Sequence, residues 1–153
     1  MRLAVSFDDG LVFAVTARPP AIYTAVMTGF SPREHDADRS WQWMGAGAAW
    51  TIVNTTAGPI AATLDLELSA FAHPRLVELR LDGRPVQTLL VEPARRVYQI
   101  GPVTVLPGNH EILFHPTDPP TVASAVISDP SADTRPLSLA FGTWSWAARS
   151  NRP

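Results

Sequence analysis

Trp41 with Trp43, and Trp144 with Trp146, stand two positions apart in pairs, so each pair shares one face of any extended strand. Two readings compete for them. Exposed indoles in a row can stack on sugar rings, because the aromatic face favours the polarised C–H groups of a pyranose. Alternatively they close the core or pack on a neighbouring domain, which the high average burial of tryptophan favours.

Carboxylates and imidazoles come next. The run Glu34-His35-Asp36-Ala37-Asp38-Arg39 places oxygen ligands close enough to suggest Ca²⁺, but it lacks the glycine and terminal glutamate of a helix-loop-helix calcium site. A charged run of this kind is usually a solvated loop. His110 and His115 flank Glu111, as in metal-binding jelly rolls, yet two histidines five apart point to opposite faces of a regular strand. No metal ligand set is therefore expected.

A glycosidase needs two carboxyl groups facing each other across a cleft. Glu67, Glu78 and Glu111 each occupy the polar half of an alternating strand, where solvent-facing residues belong. Serine-nucleophile signatures and phosphate-cradling glycine loops are missing. No catalytic residue, enzyme activity or cofactor is expected of this chain. Asn54-Thr55-Thr56 fits the glycosylation acceptor pattern, a triplet common by chance and given no weight.

The elements that must position these residues are strands. Leu64, Leu66 and Leu68 alternate with polar neighbours, as do Leu79 and Leu81 before Asp82-Gly83, whose residues suit a tight hairpin turn. Candidate strands lie near 2–6, 11–16, 21–27, 48–54, 60–70, 75–81, 85–91, 96–105, 109–115, 121–127 and 136–145. Proline and glycine, 15 and 9 residues, separate them and leave no helical period. This spacing predicts an all-β fold, an antiparallel β-sandwich of jelly-roll type.

At 153 residues the chain forms one domain. We expect leading strands over 1–27, a long polar loop over 28–40, the sandwich body over 41–146 and a flexible tail over 147–153. Charged residues make up only 17% of the chain, against about 25% in an average protein. The exterior is thus short of charge, as if part of it rested against something else. A net charge of −2, with Arg95-Arg96 the only adjacent basic pair, argues against nucleic acid as a partner. All basic residues are arginine and cysteine is absent, which removes disulfides and thiolate chemistry. Asp8 and Asp9 interrupt the stretch a signal peptide would need, and no apolar run approaches the roughly 20 residues of a membrane span.

The order Gly29-Phe30, Glu34, Arg39-Ser40-Trp41-Gln42-Trp43-Met44, Leu79-Arg80-Leu81-Asp82-Gly83, Pro107-Gly108-Asn109-His110 and Asp133-Thr134-Arg135-Pro136-Leu137 resembles a particular module. It is similar to the C-terminal β-sandwich domain that follows the multispanning part of some bacterial membrane glycosyltransferases of the protein-mannosyltransferase-like type. Asp8-Asp9-Gly10-Leu11-Val12-Phe13 is similar to the strand leading into such domains. Gln42 departs from the pattern, which more often has a basic residue there.

The resemblance implies a non-catalytic accessory sandwich, since the sugar-transferring residues of that family lie in the membrane part. It further implies a glycan or lipid-linked sugar, and the membrane-embedded glycosyltransferase portion, as partners, and an extracytoplasmic location if the chain is such a tail. Without that context the chain would be cytoplasmic. A structural cap with no ligand is the alternative. Within the pattern, Glu34 and Arg135 would form a carboxylate-guanidinium pair pinning the long loop onto the last sheet.

Overall fold

A computed structural model describes residues 3–6, 12–15, 19–126 and 133–150. Strands β1 (Leu3–Ser6) and β2 (Val12–Val15) form an antiparallel pair of their own. The main sheet is built from β3 (Ile22–Phe30), β4 (Glu34–His35), β5 (Ser40–Asn54), β6 (Ile60–Ala70), β7 (Arg75–Leu81), β8 (Arg84–Val91), β9 (Arg96–Val105) and β10 (Gly108–Pro116). It is completed by β13 (Leu139–Ser150), while β11 (Thr121–Val122) and β12 (Pro136–Leu137) pair separately, with one short 3-10 turn at Ala123–Ala125. The fold is an all-β antiparallel sandwich of jelly-roll type. Among the described residues no helix is long and apolar enough to cross a membrane.

The sheet order is β8-β7-β10-β5-β13-β6-β9, with β3 and β4 also on β5. Strand β5 belongs to both layers. Its second half, Ala48 to Asn54, lies between β10 and β3, whereas Gln42 to Met44 pair with β13. One layer is thus β3-β5-β10-β7-β8, and the other is β4-β5-β13-β6-β9. The free edges of β8 and β9 meet at Gln87, whose Nε2 donates to the Gln99 carbonyl at 3.1 Å and whose Oε1 accepts from the Gly101 N–H at 2.9 Å. That contact nearly closes the sheet on itself.

The bend in β5 falls at Gly45-Ala46-Gly47. Gly29, at a φ of +86°, passes so close that an added Cβ would lie 2.4 Å from the Gly47 carbonyl oxygen. The small residues are the space in which the two backbones meet. Because such a run lacks strand-forming side chains, the expected strand near 48–54 is longer than the spacing suggested. The 28–40 stretch likewise holds the end of β3 and all of β4, and β13 carries 147–150 into the sheet where a tail was expected. Residues 7–11, with the Asp8-Asp9-Gly10 turn, and 151–153 lie outside the described residues, as does the last position of the strand expected near 121–127.

Leu64, Leu66 and Leu68 of β6 are fully buried in one core cluster with Phe114, Val77 and Leu79 of the other layer and Leu139 of the neighbouring β13. Trp50 occupies its centre, with ring centroids 5.2 Å from Phe114, 5.9 Å from Phe141 and 5.1 Å from Trp144. Asn54 is also buried. Its Nδ2 donates to the carbonyls of Gly58 and Val105, both at 3.0 Å, so this side chain closes a turn.

Asp82 and Gly83 form the two-residue β7–β8 turn, with φ of 50° and 78°. Both values lie in the left-handed region, the signature of a type I′ hairpin. A Cβ at Gly83 would meet nothing within 4 Å, so replacement there is penalised by backbone conformation alone. Gly83→Val is expected to lower stability by about 1 to 3 kcal/mol, read by urea denaturation.

His110 fastens this turn to the next. Its Nδ1 lies 2.7 Å from Asp82 Oδ2 and its Nε2 2.8 Å from the Leu106 carbonyl oxygen. Both partners accept, an arrangement suited to the imidazolium. Burial works against the charge, but the hydrogen bonds to Asp82 and Leu106 and the Asp82 charge outweigh it, and the His110 pKa is raised. Burial of Asp82 is likewise outweighed, chiefly by the Glu111 backbone N–H and His110, so its carboxyl is lowered.

A raised folded-state histidine contributes stability that is complete below about pH 6.5 and is lost as pH rises through the folded value. Asp82 has the opposite dependence, its contribution lost only as pH falls through a value below 3.8. Stability measured by denaturation should therefore decline as pH rises above about 6.5. In His110→Asn that slope should flatten.

Candidate functional site

Glu34 on β4 connects two of the residues singled out above. Its Oε1 accepts from Arg135 Nη2 at 2.6 Å, and its Oε2 accepts from the Trp41 indole Nε1 at 3.1 Å. Arg135 is in turn held by Asp133, whose Oδ1 accepts from its Nε at 2.9 Å and whose Oδ2 also accepts from its Nη2. These bonds hold the Arg135 pKa above and the Asp133 pKa below their ordinary values, the side-chain hydrogen bond between the two leading in each case. Side chains of Arg135 and Glu34 are 38% and 33% exposed, so their pairing stabilises by surface-pair amounts, about 0 to 1 kcal/mol. Its geometric effect is to orient Trp41.

On the other side of Trp41, the Arg95 guanidinium carbon lies 5.3 Å from the ring centroid. Cation–π contact of this kind fixes the indole without burying it. Arg95 Nη1 stands 3.9 Å from Glu67 Oε1 and is shielded from solvent, with no hydrogen-bond partner among the described residues.

Glu67 projects from the outward side of β6, between buried Leu66 and Leu68. Its Oε2 accepts from the Thr143 N–H at 3.2 Å and from Thr143 Oγ1 at 3.4 Å. Room for the carboxylate exists because position 142 is glycine: a Cβ there would lie 2.2 Å from Glu67 Oε2. Gly142 and Thr143 form the irregularity where β13 shifts register against β6, between Phe141 and Trp144.

Asp36, Asp38, Arg39, Ser40, Glu67 and Thr143 line, with Ala37, a cleft of about 530 Å³. Asp36 Oδ1 accepts from the backbone N–H groups of Asp38, at 3.0 Å, and Arg39, at 2.8 Å. The Asp38 N–H foremost, against some desolvation, holds the Asp36 carboxyl below its ordinary range, with help from Arg39 and Arg95. The acidic run is therefore a hydrogen-bonded turn at the cleft mouth. No group of three metal-ligating side chains occurs among the described residues.

The four tryptophans divide. Trp41 and Trp43 lie on the outward side of β5, opposite buried Met44, and Trp43 packs edge-on against Phe71 at 5.6 Å. Trp144 and Trp146 turn inward, aligned with Leu66 and Leu64. The register shift before Trp144 sets that direction, because one inserted residue exchanges the two faces of a strand. Trp146 Nε1 donates to Thr24 Oγ1 at 3.0 Å. Trp144 leans on Trp50 but also lines a smaller pocket of about 220 Å³ with Arg33, Ser40, Gly142 and Thr143.

Arg95 and Glu67 complete the surroundings of Trp41, and neither was singled out for this role by spacing. They come from the β8–β9 loop and β6, and only the fold brings them to β5. His110 and His115 take the clasp described above and an exposed surface position respectively.

No family model matches the chain, and no curated protein is similar to it in sequence. Among solved structures, the Podospora anserina GH26-CBM35 β-(1,4)-mannanase superposes on 86% of this chain with a TM-score of 0.53 and 11% identity. A family 35 carbohydrate binding module from an environmental isolate covers 85% of this chain and is itself covered over 93%, with a TM-score of 0.48 and 11% identity. A β-1,3-glucan binding CBM6 from Bacillus halodurans gives 0.47 at 12% identity over 83% of this chain and 90% of its own. The chain spans only 28% of the mannanase. At this identity the mannanase match establishes the β-sandwich fold, and the two lower scores add nothing to it.

Proposed function

We propose that this domain is a non-catalytic carbohydrate-binding module whose ligand meets Trp41 and the polar cleft beside it. The observation that carries the reading is the setting of Trp41. Its indole is held by Glu34 and Arg95 next to a cleft lined by carboxylates, an arginine and hydroxyls. Sugars present an apolar ring face and a fringe of hydroxyls, and these groups complement both. Trp43 extends the aromatic side of the surface. Trp144 offers only the part that lines the small pocket, and Trp146 supports the strand from within.

The finer part of the proposal is context. The order of motifs around Trp41, Asp82-Gly83 and Arg135 resembles the tail domain of membrane glycosyltransferases, and on that resemblance the domain would present a glycan acceptor or polyprenyl-linked sugar to a membrane-embedded active site. A second reading, a cap that packs on another protein, is favoured by Leu76 and Leu90. They face each other across β7 and β8 and are 48% and 53% exposed.

Tryptophan fluorescence with a panel of soluble glycans tests the binding role. A binding glycan should shift the emission of the parent chain, and Trp41→Ala should weaken its binding by about tenfold or more while the melting transition survives. Silence of every indole across the panel contradicts the reading and leaves the cap.

A further inference from the structure

The surface that holds Glu67 continues along β6. Ala61, Thr63, Asp65 and Glu67 alternate with buried Ala62, Leu64 and Leu66, so all four point outward. From Ala61 to Glu67 the strand advances about 20 Å. Register places Arg149, Ala147 and Ser145 of β13 beside Ala61, Thr63 and Asp65 on one flank, and Thr104, Gln99 and Val97 of β9 beside Ala61, Asp65 and Glu67 on the other.

Side-chain size shapes this face. Ala61, Thr63 and Ala147 form a low floor, while Asp65, Gln99, Pro102 and Arg149 rise around it to enclose a second cleft of about 470 Å³. The register shift between Ala62 and Leu64 lies opposite Gly101-Pro102 and lets the proline stand as a rim. Gln99 Nε2 donates to Asp65 Oδ1 at 3.2 Å, which commits one donor and leaves the amide oxygen and the second carboxylate oxygen of these two lining residues as further acceptors.

We infer that the two clefts are one extended site, and that it takes an internal stretch of a neutral, linear glycan laid along β6 from Trp41 and Glu67 to Arg149. This rests on the carbohydrate-binding reading above and specifies its ligand class. The two clefts adjoin on one strand face where Glu67 lines the first and Asp65 the second, and hydrogen-bonding groups followed by a floor of small residues suit a repeating polyhydroxylated chain better than a single terminal sugar. Charge selects the neutral class. Asp36, Asp38, Asp65 and Glu67 are set against Arg39, Arg95 and Arg149 along the groove, so the charges nearly cancel and neither a polyanion nor a polycation gains a strong field to follow.

Calorimetric titration of the full chain with β-1,4-linked gluco- and manno-oligosaccharides, from the monosaccharide to the hexasaccharide, tests the inference. Affinity should rise by about tenfold or more between the disaccharide and the longer oligomers of one of the two series. Thr63→Trp, which fills the floor, should remove that gain. Gln99→Ala, which adds no bulk, should remove part of it. Equal affinity for short and long oligomers, tighter binding of an acidic oligosaccharide of equal length, or a length dependence unaffected by Thr63→Trp would each overturn the extended site alone. Binding of no oligosaccharide at any length, in either series or in the glycan panel, would instead overturn the carbohydrate-binding reading and this inference with it.

Discussion

Asp118→Ala should lose about 3 to 5 kcal/mol of stability, more than any change to the ion pairs at the surface. Arg75, at the head of β7, is wholly buried, and its guanidinium is satisfied from four directions. Its Nη1 donates to Asp118 Oδ2 at 2.7 Å and the Pro119 carbonyl at 2.8 Å, its Nη2 to Thr121 Oγ1 at 2.7 Å, and its Nε to the Phe71 carbonyl at 3.4 Å. Asp118 Oδ2 also accepts from His73 Nε2 at 2.9 Å, and it is the only carboxylate paired with Arg75 among the described residues.

Removing that carboxylate leaves a full positive charge in the interior with two carbonyls and a hydroxyl as its remaining partners. Desolvation is then uncompensated, which is the costly way to break a buried pair. Removing the cation is gentler. In Arg75→Met the apolar chain keeps much of the packing, and Asp118, 36% exposed on its side chain, recovers water. Denaturant melts of the two variants should therefore rank Asp118→Ala below Arg75→Met, and the reverse order would show that Arg75 acts through its packing.

Trp50→Ala is expected to cost a similar amount, about 3 to 5 kcal/mol, through a different mechanism. The indole fills the centre of the core against Phe114, Phe141 and Trp144. Truncation leaves a cavity whose lining comes from both layers, so neither sheet can close it by moving alone. Trp50→Phe should cost far less. Trp50 Nε1 is buried without a hydrogen-bond partner among the described residues, and phenylalanine removes that unmet donor together with part of the ring. A thermal melt in which Trp50→Ala matched the parent would contradict the packing described here.

Much of the fold was legible before the structure. Leu64, Leu66 and Leu68 alternate in a way that only a half-buried strand explains, and Asp82-Gly83 can form the tight turn it does form. The first half of β5 was not legible, because Gly45-Ala46-Gly47 has no strand propensity and is shaped by the approach of Gly29. Spacing placed Trp144 and Trp146 on a common face, but it could not say which face. That was decided by a register shift at Gly142-Thr143, a property of the pairing with β6.

The candidate site divides the same way. Trp41 and Trp43 were marked by their spacing, and Glu34 and Arg135 by the resemblance. Arg95 and Glu67 carry no local signal, since an arginine two residues after a lone proline and a glutamate on an alternating strand read as solvated surface. Their importance arises from contacts between residues far apart in the chain. Arg75 is the strongest case: its position at a strand end gives no hint that its guanidinium is fully buried.

Five tryptophans give five indole N–H signals in a ¹⁵N correlation spectrum, and following them as a bound glycan is titrated reads the binding surface directly. The account predicts that the Trp41 signal moves and saturates with the ligand, while those of buried Trp50 and inward-facing Trp146 hold their positions. A glycan that saturates the protein while leaving Trp41 unmoved, or shifts Trp50 and Trp146 in its place, would contradict it.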